Sequence, residues 1–144
     1  MSDRLTHFTL SQVGSPELPL AEHLHAGFPS PASDYTDCID ITREIVRHPE
    51  TTFYARIDGD SMKDAGIFNG DIVVIDRSLQ ATSGNYVAAY IDGEFTIKEF
   101  RLDSDNNCAW LIPHNQRFKP IRVTEENAFI IWGVITHTIH SVKR

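Results

Sequence analysis

From about residue 52 onward, apolar and polar positions follow the two-residue period of extended chain. In 52–57, Phe53, Ala55 and Ile57 fall on one side, as alternate residues of a strand do. Residues 71–76 hold the unbroken apolar run Ile72-Val73-Val74-Ile75 between two aspartates, the pattern of a short buried strand. Two further strand-like runs, 86–91 and 94–102, flank Asp92-Gly93, and an Asp-Gly pair in that position is the strongest short-range hairpin signal. Residues 109–112 predict another short strand. Residues 128–142 are long, β-branched and aromatic, with Gly133 marking a bend or bulge. Several short strands with turn signals between them predict a mostly β domain, rolled or barrel-like.

The first 50 residues have a different texture. Pro16, Pro19, Pro29 and Pro31 interrupt them, and no clean period runs through 1–35. The run 19–26 predicts a turn or two of helix, too short to be stable alone. Gly27-Phe28-Pro29-Ser30-Pro31 reads as extended or polyproline-like chain, because proline fixes φ and moves its predecessor out of the α region. Residues 40–48 predict a short helix capped by Asp40, with Ile41 and Ile45 sharing a face. The expected division is a flexible N-terminal arm over 1–39 and a β-rich domain over 40–144.

Composition narrows the function classes. Of 144 residues, 41% are hydrophobic and 23% charged, enough for a core and against wholesale disorder. The formal net charge is −7, with no Lys/Arg cluster, so gripping a phosphate backbone unaided is disfavoured; any role near DNA is expected to run through protein partners. Cys38 and Cys108 form no CxxC pair and have no histidine at a ligand spacing, so they read as reduced structural thiols. His137 and His140 read as strand decoration, and no metal or other cofactor is expected. The N-terminal run lacks a continuous apolar stretch, which predicts neither signal peptide nor membrane anchor, hence a cytoplasmic protein.

Three features carry candidate chemistry. Asp58-Gly59-Asp60-Ser61-Met62 places Ser61 on a tight polar bend, where its hydroxyl and nearby N–H groups could face a substrate. Alone, a serine in such a bend is a turn residue. Lys98 stands in Glu94-Phe95-Thr96-Ile97-Lys98-Glu99-Phe100, on one strand face with Thr96 and Phe100. Alone, it is a solvated lysine. Ala26 and Gly27 put small residues on both sides of a peptide bond in an irregular arm, and alone that means little.

Together they form an ordered set. Gly59-Asp60-Ser61-Met62, then Gly70-Asp71, then Asp92-Gly93-Glu94-Phe95-Thr96-Ile97-Lys98 resembles the LexA/UmuD family of Ser–Lys self-cleaving proteins. The segment 27–35 resembles the one that follows the cleavage site in the UmuD branch, and the likeness runs from about Leu24 onward. The chain is too short for a helix-turn-helix domain ahead of the arm, which favours the UmuD branch over the repressors. Gly84-Asn85 departs from an expected Gly-Asp, which bears on a local hydrogen bond at a strand start. Ala26 is typical of LexA-type sites, where cysteine is associated with UmuD; both are small.

The resemblance implies a LexA/UmuD-type protease-like β fold and a serine endopeptidase acting on itself. Ser61 is the expected nucleophile and Lys98 the general base. Ala26–Gly27 is the expected scissile bond, and the backbone N–H groups of Ser61 and Met62 are the expected oxyanion donors. A serine needs a base to take its proton, and a lysine amine serves only when neutral, which burial favours. Phe95, Ile97 and Phe100 are near enough in sequence to supply dry walls. The implied setting is the SOS response: cleavage stimulated by a RecA–single-stranded DNA filament, with residues 27–144 acting as accessory subunit of an error-prone, UmuC-like Y-family translesion polymerase. A homodimer is implied as well, with the strand at 129–139 and Trp132 as part of either its interface or the core. The competing readings are a non-cleaving binding module of a polymerase complex, a peptidase acting on other proteins, and a LexA-like repressor fragment.

Overall fold

The computed structural model describes residues 16–21 and 35–143. The chain divides into two compact units, Met1–Pro49 and Glu50–Arg144. In the first, β1 (Leu18–Ala21) pairs antiparallel with β2 (Tyr35–Ile39). The helical turn expected over 19–26 is therefore not formed at its start. Four residues cannot nucleate a helix alone, whereas a partner strand satisfies their backbone directly. Pro19 sits opposite Cys38 and is tolerated because a two-stranded ribbon has only edges. Helix α1 (Ile41–Ile45) is shorter than expected. The Asp40 carboxylate caps it, accepting from the N–H groups of Thr42 at 3.0 Å and Arg43 at 3.4 Å. Its expected apolar face is not buried; Ile41 is mostly exposed.

The second unit is built on a seven-stranded antiparallel sheet, in the order β3-β4-β9-β5-β6-β7-β8. Its strands are β3 (Thr52–Arg56), β4 (Ile72–Asp76), β5 (Tyr86–Ile91), β6 (Glu94–Asp103), β7 (Cys108–Ile112), β8 (Ile121–Val123) and β9 (Phe129–Ile139). The mostly β expectation holds. Asp92 and Gly93 both have positive φ, 47° and 91°, and join Ile91 to its partner Glu94 as the Asp-Gly signal requires. Three residues give β8 too little pattern to be read from sequence.

Apolar side chains line both faces of the sheet. On β5, Val87, Ala89 and Ile91 join Phe100, Leu111, Val123 and Val134 in one cluster. Ala88 joins Met62, Ile67, Val73 and Ile75 in the other. Alternate residues of one strand thus feed opposite clusters, which explains why β5 lacks a polar face. Met62 and Ile67 are supplied by the long connection between β3 and β4, so burying them presses that connection onto the sheet. Cys108 is buried, Cys38 exposed, and both are free thiols.

β9 runs through the centre of the sheet, between β4 and β5, and it is irregular where Gly133 predicted. Its pairing to β5 slips between Ala88 and Ala89, opposite Trp132, and its pairing to β4 slips between Val74 and Ile75. Ile131 and Val134 face one cluster, Trp132 and Ile135 the other, so this half of the strand is core. Gly133 is required by close approach: an added Cβ would stand 2.5 Å from Ile75 Cγ2 and 3.3 Å from the Asp76 carbonyl oxygen. Gly133→Val is expected to destabilise the fold by about 1–3 kcal/mol, read from denaturant unfolding. An unchanged midpoint would show that Ile75 can turn aside freely.

Candidate active site

The β3–β4 connection leaves and returns through one narrow base. Ile57 N–H donates to the Asp71 carbonyl and Gly70 N–H to the Ile57 carbonyl, each at 2.8 Å. Asp71 locks that base from beneath. Its buried carboxylate accepts from Phe68 N–H at 2.8 Å, from Thr138 Oγ1 at 3.4 Å and from His140 Nδ1 at 2.6 Å. Burial alone would raise its pKa; the hydrogen bonds from Phe68, His140 and Thr138 and the charge of His140 outweigh it and hold the carboxyl below its usual range. His140 is thereby engaged with a carboxylate, and the described residues contain no cluster of three His, Cys, Asp or Glu able to hold a metal.

Within the connection, Gly59 adopts φ 112°, a conformation that favours glycine, and its N–H donates to Asn69 Oδ1 at 2.8 Å. The chain then turns at 60–63, where Lys63 N–H reaches back to the Asp60 carbonyl at 3.2 Å, and enters a 3-10 helix, Lys63–Ala65. Ser61 stands on this turn immediately before the buried Met62. The turn is held from outside by the loop after β7. His114 N–H donates to the Ser61 carbonyl and Asp64 N–H to the His114 carbonyl, both at 2.8 Å. The buried Asn115 donates from Nδ2 to the Asp60 carbonyl at 2.9 Å.

That loop is in turn held to β6. His114 Nε2 lies 3.0 Å from Glu99 Oε1, Arg101 pairs with the same carboxylate, and the His114 ring packs edge-on against Tyr86. Glu99 is itself buried and adjacent in sequence to Lys98. The strand that carries the lysine and the turn that carries the serine are thus linked through one loop.

The structure brings Ser61 and Lys98 together. Lys98 Nζ lies 3.1 Å from Ser61 Oγ, 2.6 Å from Thr96 Oγ1 and 3.1 Å from the Ile97 carbonyl oxygen. The lysine is 7% exposed, and among the described residues no carboxylate forms an ion pair with it. Burial without a counter-charge disfavours the ammonium and lowers its pKa. A neutral amine keeps two N–H donors and one lone pair. Thr96 and the Ile97 carbonyl can take the two donors, which leaves the lone pair for the Ser61 hydroxyl. Among the described residues, neither the Ser61 nor the Met62 N–H is hydrogen-bonded to an acceptor.

Not every expected neighbour is in place. Phe100, on the strand face of Lys98, is buried; Ile97 is half-buried and packs in the cluster of Met62, Ile67 and Ala88. Phe95 is 53% exposed, its ring packed on Tyr90 and Trp132, so it does not wall in the amine. It points to the opposite side of β6 from Lys98, as strand alternation dictates. Ala26 and Gly27 lie outside the described residues. Asn85, the departure from Gly-Asp, keeps the local bond through its amide oxygen, which accepts from Thr82 N–H at 2.8 Å and Thr82 Oγ1 at 3.1 Å. His114 and Asn115 were not legible beforehand: Pro113-His114-Asn115 reads as any inter-strand loop. Thr96 shares the strand face of Lys98, as alternation predicts, but nothing in the sequence marks it as a partner of the amine.

Residues 19–136 match the peptidase S24-like family. The chain is 40% identical over 120 residues to protein MucA of Salmonella typhimurium, covering 82% of this chain and 80% of that one. It is 40% identical over 123 residues to protein SamA of the same species, covering 85% and 84%. The LexA repressor of Corynebacterium jeikeium is 43% identical over 109 residues, which cover 75% of this chain and 40% of the repressor.

The buried amine has a consequence for stability. A lysine whose folded pKa is lowered costs stability wherever the unfolded chain holds the proton more tightly. That cost is full below the folded pKa and vanishes as pH rises past the unfolded value near ~10.4. Lys98→Met is therefore expected to raise the thermal midpoint at pH 7, with the gain shrinking toward pH ~10. A lowered midpoint at pH 7 would mean that the amine's hydrogen bonds outweigh its desolvation.

Proposed function

The chain belongs to the peptidase S24-like family, and on that premise we propose that it is a serine endopeptidase that cuts its own backbone between Ala26 and Gly27. The observation that carries the reading is the 3.1 Å approach of a buried, unpaired Lys98 amine to the Ser61 hydroxyl. In this reading Lys98, as the free amine, takes the serine proton while Oγ attacks the Ala26 carbonyl carbon. The oxyanion that forms is received by the Ser61 and Met62 N–H groups. As the tetrahedral intermediate collapses, the Lys98 ammonium returns the proton to the departing Gly27 nitrogen. Water, deprotonated by the same amine, then releases residues 1–26 from Ser61. Arginine could not replace Lys98, because it does not give up its proton in proteins.

The substrate is tethered, so its effective concentration is high and no strong binding pocket is needed. Cutting is slow until a partner favours the arm-bound form. By the family likeness that partner is a RecA–single-stranded DNA filament formed after DNA damage, in the SOS response and SOS mutagenesis. The product 27–144 then serves, as a homodimer in the cytoplasm, with a UmuC-like Y-family polymerase in translesion synthesis. The arm carries Arg4 against Asp3, Glu17 and Glu22, so the product stays acidic and reaches DNA through its partners.

Intact-mass measurement of the purified chain at mildly alkaline pH tests the chemistry. The wild type is expected to release residues 1–26, and Ser61→Ala and Lys98→Ala to stay whole. If all three remain intact even with activated RecA filament, the chain is a binding subunit and not a peptidase. The cleavage rate is expected to climb with pH until the lowered Lys98 pKa is passed, then level off below ~10.4. A flat profile removes the general-base role. Replacing Gly27 with a bulky residue is expected to stop cutting while the fold survives, since small residues let the scissile bond approach the serine closely; normal cutting by that variant would show the close approach to be unnecessary.

A further inference from the structure

Two successive peptide units flank Ser61. The first, Asp60–Ser61, has its carbonyl held by Asn115 Nδ2 at 2.9 Å. The second, Ser61–Met62, has its carbonyl held by His114 N–H at 2.8 Å. No peptide bond among the described residues is cis. In a planar trans unit the C=O and N–H point in opposite directions. Fixing each carbonyl toward the 114–115 loop therefore aims each N–H away from it. Met62 has φ −119° and ψ 18°, in the region used by the third residue of a type I turn, and Lys63 N–H closes that turn on Asp60. In such a turn successive carbonyls lie on one side, so the Ser61 and Met62 N–H groups emerge together on the other. Neither N–H has an acceptor among the described residues, so both are free to meet a developing charge.

The loop behind them is rigidly seated. Asn115 is 6% exposed, and its other amide atom, Oδ1, accepts from Arg117 N–H at 3.0 Å, which fixes the direction in which Nδ2 points. The His114 carbonyl accepts from Asp64 N–H at 2.8 Å, and its ring is held by Glu99. A buried side-chain amide with both its nitrogen and its oxygen hydrogen-bonded is a costly way merely to close a surface loop.

We infer that Asn115, with the His114 backbone beside it, is a positioning residue for the oxyanion-binding amides: it orients and polarises the peptide plane whose N–H meets the developing charge. This rests on the self-cleavage reading above and deepens it. Asn115 hydrogen-bonds to neither Lys98 nor the hydroxyl of Ser61, so it acts on the charge-stabilising half of the site and leaves the proton-transfer half alone.

The test uses the full chain as wild type, Asn115→Leu (neutral and of similar shape), Asn115→Ala and Ser61→Ala. Two rates are followed across pH: release of residues 1–26, and labelling of Ser61 by a small fluorophosphonate. In the labelling, the Ser61 oxygen bonds to phosphorus, the P–F bond breaks, fluoride departs and the serine proton passes to the Lys98 amine. The phosphonyl oxygen occupies the oxyanion position, so the label probes that position without needing the arm. Both rates are expected to fall about 10–100-fold in either Asn115 variant, the scale of a misplaced catalytic group. Loss of a donor itself costs more, about 10²–10³. The pH midpoint is expected to remain at the wild-type value, because the amine's surroundings are unchanged. Thermal unfolding shows which of the two variants is folded at the assay temperature, and the comparison is made on it.

Rates within about two-fold of wild type in a folded variant overturn the inference, since a positioning role on this scale requires more. So does a rate loss accompanied by a shifted midpoint, which would place the effect in the Ser–Lys contact. If wild type is labelled at Ser61 but never cut, the self-cleavage reading fails, and the labelling rates still decide the role of Asn115. If Ser61 is neither labelled nor cut, there is no oxyanion to serve, and both fall together.

Discussion

Everything at this site depends on keeping an amine dry. Lys98 is buried, lacks a carboxylate partner among the described residues, and meets only neutral oxygens: two hydroxyls and a carbonyl. A carboxylate within reach would have stabilised the ammonium and left little free amine to act as a base. Burial alone would leave a costly, unsatisfied group. Thr96 and the Ile97 carbonyl resolve the conflict by hydrogen-bonding the amine without charging it. Glu99, the next residue, is buried as well, but its carboxylate is engaged by His114 and Arg101. Two ionisable neighbours on one strand are thus kept in separate environments, because successive residues point to opposite faces.

The sheet explains how a turn near one edge reaches a lysine several strands away. Ser61 follows β3, an edge strand, whereas Lys98 is on β6. Nothing in the pairing of β3 joins them. The connection between β3 and β4 crosses the gap because Met62 and Ile67 bury themselves with Val73, Ile75 and Ala88. Hydrophobic burial thus delivers the nucleophile, and hydrogen bonds from the 114–115 loop then set its orientation. These forces suit their tasks: burial is strong and non-directional, whereas hydrogen bonds are weaker and directional.

The larger elements were legible because their signals are local. The Asp92-Gly93 hairpin and the apolar run of β4 announce themselves within a few residues. Gly133 pointed to an irregularity, although its reason, contact with Ile75, is a tertiary fact. β1 was misread because a four-residue strand draws its stability from a partner far along the chain. The Ser61–Lys98 pair was legible only as a family resemblance. Neither residue departs locally from an ordinary turn serine or an ordinary strand lysine. Asn115 escaped altogether: its meaning lies in a carbonyl 55 residues away. Phe95 shows the opposite error, where closeness in sequence suggested contact that strand alternation forbids.

The placement of β9 has a consequence for biosynthesis. Residues 129–139 form the middle of the sheet, so β4 and β5 have no common neighbour until that strand is available. As the chain emerges from the ribosome, residues 16–112 appear first, including both members of the Ser–Lys pair. The central strand that joins β3–β4 to β5–β8 has yet to follow, and pairings this distant in sequence form late and slowly. A nascent chain therefore carries its cutting groups before it has the scaffold that brings them together. Assembly of the site is coupled to synthesis of β9, and a ribosome-stalled fragment ending before residue 129 lacks the means to align it.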